Sequence, residues 1–256
     1  MALTDARLHP KLRRRTTHTG NARLGDIVEF FTVPQHTPNA TAGYIITSDH
    51  LVVGHDVDTR LIPEARTQAH IDKPWSCILH TNAGQTEARS LWAWITRAGN
   101  DGESHFEVAM DGHVEQYMPL DVRADCNFSA NRWVGKDGLS RGPISFETAD
   151  KGSATVNATP WSLHQLDALI GIITALCVTY GIHCTQPGSW DASGIGHHSL
   201  FPYQGIGSKA WTNVKGKSCP GNARKAQMDH IRHEVQKRLI LIHEATPDLY
   251  TCPGAK

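Results

Sequence analysis

The chain has 256 residues, room for one sizeable core with accessory ends, and its 25 Lys and Arg are matched by 25 Asp and Glu. Balanced charge provides no whole-molecule field to gather nucleic acid or an anionic membrane surface, so neither is an expected partner. The longest apolar run, Leu166 to Val178, is broken by Asp167, Gly171 and Thr174 and falls short of the ~20 residues that span a bilayer.

The N-terminus, MALTDARLHPKLRRR, carries basic residues with no apolar stretch behind them, so no secretory signal is expected and the chain reads as made in a cytoplasm. Arg13, Arg14 and Arg15 read as a solvated arm. Ile27 to Val33 and Tyr44 to Ile46 are apolar stretches separated by the PQHTPNA loop, and GYIITSDHLVVGHD alternates like a hairpin. Residues 1–70 are therefore expected to form a small accessory region of short strands and loops.

From Pro74 the pattern sharpens. WSCILHTNAG is a buried strand that delivers His80 at its C-terminal end, and Gln85 to Thr96 has the spacing of an amphipathic helix through Leu91, Trp92 and Ile95. SHFEVAMDGHVEQY reads as two strands about the Asp111-Gly112 turn, with Phe106, Val108 and Met110 on one face and His105 and Glu107 on the other. Val122 to Gly142 is polar and rich in Asn, Gly and Arg, a long loop. GPISFETA is a further strand, with Ile144 and Phe146 on one face and Ser145 and Glu147 on the opposite one.

Ser162 is the expected N-cap and Gly181 the C-terminal stop of a core helix whose stripe is Leu163, Leu166, Leu169, Ile170, Ile173, Leu176 and Cys177. Asn222 to Leu241 returns to helical periodicity through Ala226, Ile231, Val235, Leu239 and Ile240, and residues 242–256 form a tail. Strands alternate with long helices, the pattern of an α/β chain. Six cysteines with no CxxC pair and no regular spacing exclude a disulfide scaffold; Cys77 and Cys177 read as buried thiols.

The chemistry concentrates in GIGHHSLFPYQGIGSKAWTNVKGKSCPGNAR, which brings His197, His198, Lys217 and Cys219 into one loop-rich segment. With strand-borne His80, either histidine and Cys219 would make a tetrahedral zinc site of two imidazoles and a thiolate, with an open fourth position for water. Such water becomes acidic enough to supply a nucleophile at neutral pH. Glu147 would orient or deprotonate it, and Lys217 would stabilise an oxyanion.

The order CILHT, SHFEVAMDGHVEQY, GPISFET, GIGHHSLFP and KSCPGNAR resembles the zinc-dependent N-acetylmuramoyl-L-alanine amidases related to peptidoglycan recognition proteins, especially those of phage endolysins from actinobacterial, mycobacteriophage-type hosts. The resemblance covers about residues 74–238 and implies an amidase domain over 71–241. It implies a mixed α/β, peptidoglycan recognition protein-like fold, a central mixed β-sheet flanked by helices, whose groove takes the glycan-stem peptide, with Zn2+ as cofactor, peptidoglycan as partner and a monomer; the alternation of strands and long helices agrees. By it, His80 and Cys219 match the first and last zinc ligands, Lys217 the catalytic lysine and Glu147 the catalytic glutamate. Aligning on GH with Pro202 selects His197 as the middle ligand, whereas the GIG-x-H form selects His198, the preferred assignment. Ser104 stands where some members carry a catalytic Tyr, which shifts the load to Glu147 and Lys217, and His105 reads as a packing or hydrogen-bonding residue.

The resemblance implies hydrolysis of the amide between N-acetylmuramic acid and L-alanine through a zinc-activated water, leading to host cell-wall lysis after release, with a holin as the route. Trp133, Trp190, Phe201, Tyr203 and Trp211 are candidates to stack on sugar rings near the groove. A non-catalytic peptidoglycan-binding module is the alternative of another class, and a cysteine peptidase using Cys219 ranks last, because Pro220 follows it directly.

Overall fold

Short β-branched runs between turns open the described part of the computed structural model, which describes residues 43–63, 68–82, 90, 92–96, 103–151 and 158–245. β1 (Ile45–Ile46) and β2 (Val52–Val53) pair antiparallel as the expected hairpin. β3 (Val57–Thr59) then joins the main sheet, although it lies before the boundary expected at residue 70. β4 (Lys73–Leu79), α1 (Trp92–Ile95), β5 (Phe106–Val108) and β6 (Val114–Gln116) follow. The Arg13 to Arg15 arm, Ile27 to Val33, the start of the helix expected from Gln85, Cys252 and the end of the tail lie outside the described residues.

Val122 to Gly142 is not one long loop. It holds a 3-10 turn (Phe128–Ala130), β7 (Trp133–Val134) and the start of β8 (Ser140–Thr148). The reason lies in the edges of β8. β4 occupies one edge along Arg141 to Phe146, while β5 takes only Phe146 to Thr148 of the other, leaving Ser140 and Arg141 open for β7.

The main sheet runs β3-β6-β5-β8-β4-β9, with β9 formed by Gly194–His197. β5, β8, β4 and β9 are parallel to one another, β6 is antiparallel to β5, and β7 is antiparallel to β8. The C-terminal ends of four neighbouring strands therefore open on the same side, where parallel sheets place ligands.

Alternation along the strands gives the sheet two unlike faces. Cys77, Leu79, Phe106, Val108, Val114, Ile144, Phe146 and Ile195 share one core with α2 (Leu163–Tyr180) and with α4 (Met228–Ala245), which follows the single turn α3 (Asn222–Lys225). Each such side chain contributes roughly 1.5–3 kcal/mol on burial. α2 starts where expected: Ser162 Oγ accepts from Gln165 N–H while the Gln165 side chain accepts from Ser162 N–H, and Gly181 ends it at φ 67°. Its 18 residues are long and apolar enough to cross a bilayer by composition, and residues Leu166 and Ala168 to Cys177 are buried in this core.

Two stripe assignments change. Leu163, the first helical residue, is 83% exposed. The C-terminal helix breaks at Ala226 and Gln227, where Gln227 is hydrogen-bonded to the backbone of Trp161, so its phase restarts; Met228, Ile231, Val235, Leu239 and Ile242 are buried, while Ala226 and Ile240 are exposed.

Candidate metal centre

The register of the parallel strands assembles the site. Leu79 is level with Phe146 on one side and His197 on the other. The ladder continues one residue further, His80 N–H donating to Phe146 and His198 N–H to Leu79 at 2.8 and 3.1 Å. His80, Glu147 and His198 therefore stand abreast on the face away from the helices, and Glu107 and Glu115 extend the row through β5 and β6.

Cys219 reaches this row from the loop before α3. Ligand atoms of His80, His198 and Cys219 all lie within 4.8 Å of one another, and the two imidazole centroids are 4.2 Å apart. All three residues are buried. His197 is excluded from the cluster by parity. It points to the opposite face with Leu79 and Phe146, its Nδ1 is 3.2 Å from Ser199 Oγ, and burial, with Lys225 and Arg232 adding to it, pushes its pKa down to about 4.

Each donor is held by a second group. His80 Nε2 is 3.1 Å from Asn127 Oδ1, an acceptor, which makes Nε2 the protonated nitrogen and leaves the Nδ1 lone pair facing the site. His198 bonds the backbone of Trp211. Thr81 N–H donates to Cys219 Sγ at 3.4 Å. Gly196 permits the Trp211 contact, since a Cβ there would lie 2.6 Å from the indole ring.

Desolvation dominates the electrostatics. It pushes the His80 pKa down to about 3 and that of His198 down as well, with Lys217 acting in the same direction on both. Both imidazoles are therefore neutral, the form that ligates metals. Burial and the nearby Glu147 push the Cys219 thiol up to about 12. A divalent cation would reverse that bias, because it stabilises the thiolate directly. Two neutral imidazoles and one thiol, converging in this way, suit zinc in a three-ligand site.

Glu147 lies 3.6 Å from His80 Nδ1, and burial pushes its pKa up to about 8, against the opposing pull of Lys217 and Arg224. Its Oε2 and that of Glu107 are buried without a hydrogen-bond partner among the described residues. Lys217 is half-buried, and its charge acts on His80, His198, Glu147 and Cys219 together. Fully buried Arg224 secures the end of β8 by donating to the carbonyls of Thr148, Ala149 and Thr159.

The structure thus brings together His80, His198, Cys219, Glu147 and Lys217, and leaves His197 aside. Sequence reading missed Asn127, Thr81 and the Glu107–Glu115 row. His105 is a hydrogen-bonding residue, donating through Nε2 to Val122 O and accepting from Ser145 N–H at Nδ1. Among the aromatic candidates for sugar stacking, Trp211 is fully buried as a packing residue, and Trp133 and Trp190 pair with each other 5.4 Å apart at the far end of the strands.

Residues 72–222 match the family model described as N-acetylmuramoyl-L-alanine amidase. A search of curated proteins gave no significant match. Among solved structures, the chain is similar to the N-acetylmuramoyl-L-alanine amidase LysC from Clostridium intestinale, with TM-score 0.47 and 15% identity over 70% of this chain and 97% of that one. It is similar also to a mutant endolysin from Bacillus subtilis, with TM-score 0.43 and 15% identity over 70% and 97%. Because the family match runs through more than half of the residues and contains every group of the cluster, the chain belongs to the N-acetylmuramoyl-L-alanine amidase family.

Proposed function

We propose that this protein hydrolyses the amide between the lactyl group of N-acetylmuramic acid and L-alanine in peptidoglycan, with zinc held by His80, His198 and Cys219, and that it serves a phage of an actinobacterial host in wall lysis. The observation that carries the zinc reading is the buried convergence of those three donors inside the family-matched segment. Residues 71–241 form the body of the amidase domain; β3 adds an edge strand to it from the preceding region, and the last turn of α4 extends it to Ala245.

Zinc held by His80, His198 and Cys219 would supply Lewis acidity, the chemistry that activates a water and polarises a carbonyl. Glu147, beside His80 with Oε2 unpartnered among the described residues, takes the proton from the attacking water. The water oxygen bonds to the lactyl carbonyl carbon, the C–N bond breaks, and Glu147 returns the proton to the departing L-alanine nitrogen. Lys217 offers its ammonium to the oxygen on which negative charge grows. Asn127 and Thr81 keep His80 and Cys219 oriented throughout.

The test is incubation of purified protein with peptidoglycan, with and without a chelator, following release of free L-alanine amino termini. Release that stops with chelator and returns with zinc is expected; chelator-insensitive release would remove zinc from the reaction, and binding without release would favour a non-catalytic module. The cysteine peptidase reading is disfavoured by the Cys219 thiol itself, whose pKa is pushed opposite to that of an activated nucleophile.

A further inference from the structure

A groove of about 570 Å³ lies at the N-terminal ends of the same strands, lined by Trp75, Trp133 and Trp190 together with Lys136, Arg141 and Lys209. Its volume falls in the ~300–1,000 Å³ range of small-ligand sites. Trp75 and His80 are five positions apart on and just after β4, about 16 Å at 3.3 Å per residue, so this groove and the metal centre are separate places on one sheet.

The indoles are fixed in advance. Trp75 Nε1–H donates to Asp191 O at 2.9 Å, the Trp190 carbonyl accepts from Trp211 Nε1–H at 2.8 Å, and Trp133 meets Trp190 edge to face. Arg141, whose guanidinium is tied to Asp137, lies over the Trp75 ring at 4.4 Å. Lys136 and Lys209 are exposed and form no ion pair among the described residues; the Lys209 ammonium rests 5.2 Å from the Trp190 centroid.

From this juxtaposition we infer that the groove binds glycan strands of the wall whose stem peptides have been removed. The indole rings wall the groove with cations laid over them, Arg141 and Lys73 over Trp75 and Lys209 over Trp190, a mixed apolar and basic surface of the kind that meets an acidic sugar. Two rim lysines suit widely spaced carboxylates, and hydrolysis at the lactyl amide leaves one carboxylate on each muramic acid it cuts. Asp137 and Asp191 on the same walls disfavour a dense polyanion such as nucleic acid. The inference rests on the amidase reading for the origin of those carboxylates. Its consequence is retention: the domain holds a strand it has stripped while its catalytic end works on another segment.

Titration of the full chain with stem-peptide-free glycan strands, followed by calorimetry, tests this. The double variant K136E/K209E, both positions exposed, is expected to bind about tenfold more weakly, and Trp190→Ala similarly. A neutral oligosaccharide of N-acetylglucosamine should bind the native protein about tenfold more weakly than the acidic strand. K136E/K209E should cut a small soluble muramoyl peptide at the native rate and intact wall more slowly. Equal affinity of native protein and K136E/K209E for the acidic strand would overturn the inference, as would tighter binding of isolated stem peptide. Failure to cut the small muramoyl peptide would instead count against the amidase reading, because glycan binding is measured without turnover.

Discussion

Asn127→Ala removes the group that orients His80. Asn127 is fully buried, its Oδ1 lies 3.1 Å from His80 Nε2, and its Nδ2 donates to Ser145 Oγ at 2.6 Å. Deleting the amide strips a partner from two buried polar groups, which at about 1–3 kcal/mol each makes a loss of roughly 2–6 kcal/mol in the metal-free protein. The imidazole also becomes free to turn and to exchange tautomers, and loss of such a supporting bond typically lowers metal affinity by about 10–100-fold. Chelator competition for zinc and urea unfolding of the metal-free protein measure the two effects separately. Asn127→Asp keeps an acceptor for Nε2–H and should hold zinc at least as tightly as the native protein. Zinc affinity of Asn127→Ala within twofold of native would refute this reasoning, as would an NMR assignment of the metal-bound His80 nitrogen to Nε2.

His198→Ala should lose zinc while His197→Ala keeps it, read by metal content after dialysis, because the two side chains leave opposite faces of β9. Glu147→Gln should retain zinc and lose about 10²–10⁴ in turnover of a soluble muramoyl peptide; retained turnover would remove Glu147 from proton transfer. His105 is buried and held neutral, its pKa pushed down to about 4 mainly by desolvation. The unfolded chain then binds a proton that the folded one does not, so this contribution, about 3 kcal/mol, is present above pH ~6.5 and is lost as pH falls towards 4. His105→Gln should flatten that acid limb in urea titrations, and an unchanged slope would count against it. Gly196→Ala drives a methyl into the Trp211 ring and should cost about 1–3 kcal/mol by thermal unfolding, with weaker zinc binding because Trp211 supports His198.

Periodicity made the large elements legible. α2, with its Ser162 cap and Gly181 stop, and the hairpin about Asp111-Gly112 follow from local chemistry, and so does the mixed α/β class. Elements set by their partners were not legible. β7 is two residues long and exists because β8 has a vacant edge, which no pattern in Trp133–Val134 announces. β3 likewise depends on β6, so Val57–Thr59 read as part of an accessory region. In the C-terminal helix the break at Ala226 and Gln227 restarts the phase, which moved the buried stripe to Met228 and Ile242.

At the site, residue types were legible and orientation was not. β9 reads GIGH, and two glycines in four positions leave too little alternation to assign a face, so His197 and His198 could be separated only by the register with β4. Asn127 has no motif; it is recognisable as a support only once the 3-10 turn brings it to His80. The register also explains how a carboxylate row survives on this face. Glu115 is satisfied by Arg60, Ser90 and Tyr117. Glu107, between Glu115 and Glu147, has among the described residues a single 3.4 Å bond, from Asn82, and burial together with those two carboxylates raises its pKa well above the usual range. It is therefore buried as a neutral acid, which costs far less than a buried charge. With Glu107 neutral, the charges that act on Glu147 are the cations Lys217 and Arg224, which oppose the burial that raises its pKa to about 8 and so limit how far its carboxyl is held in the protonated form.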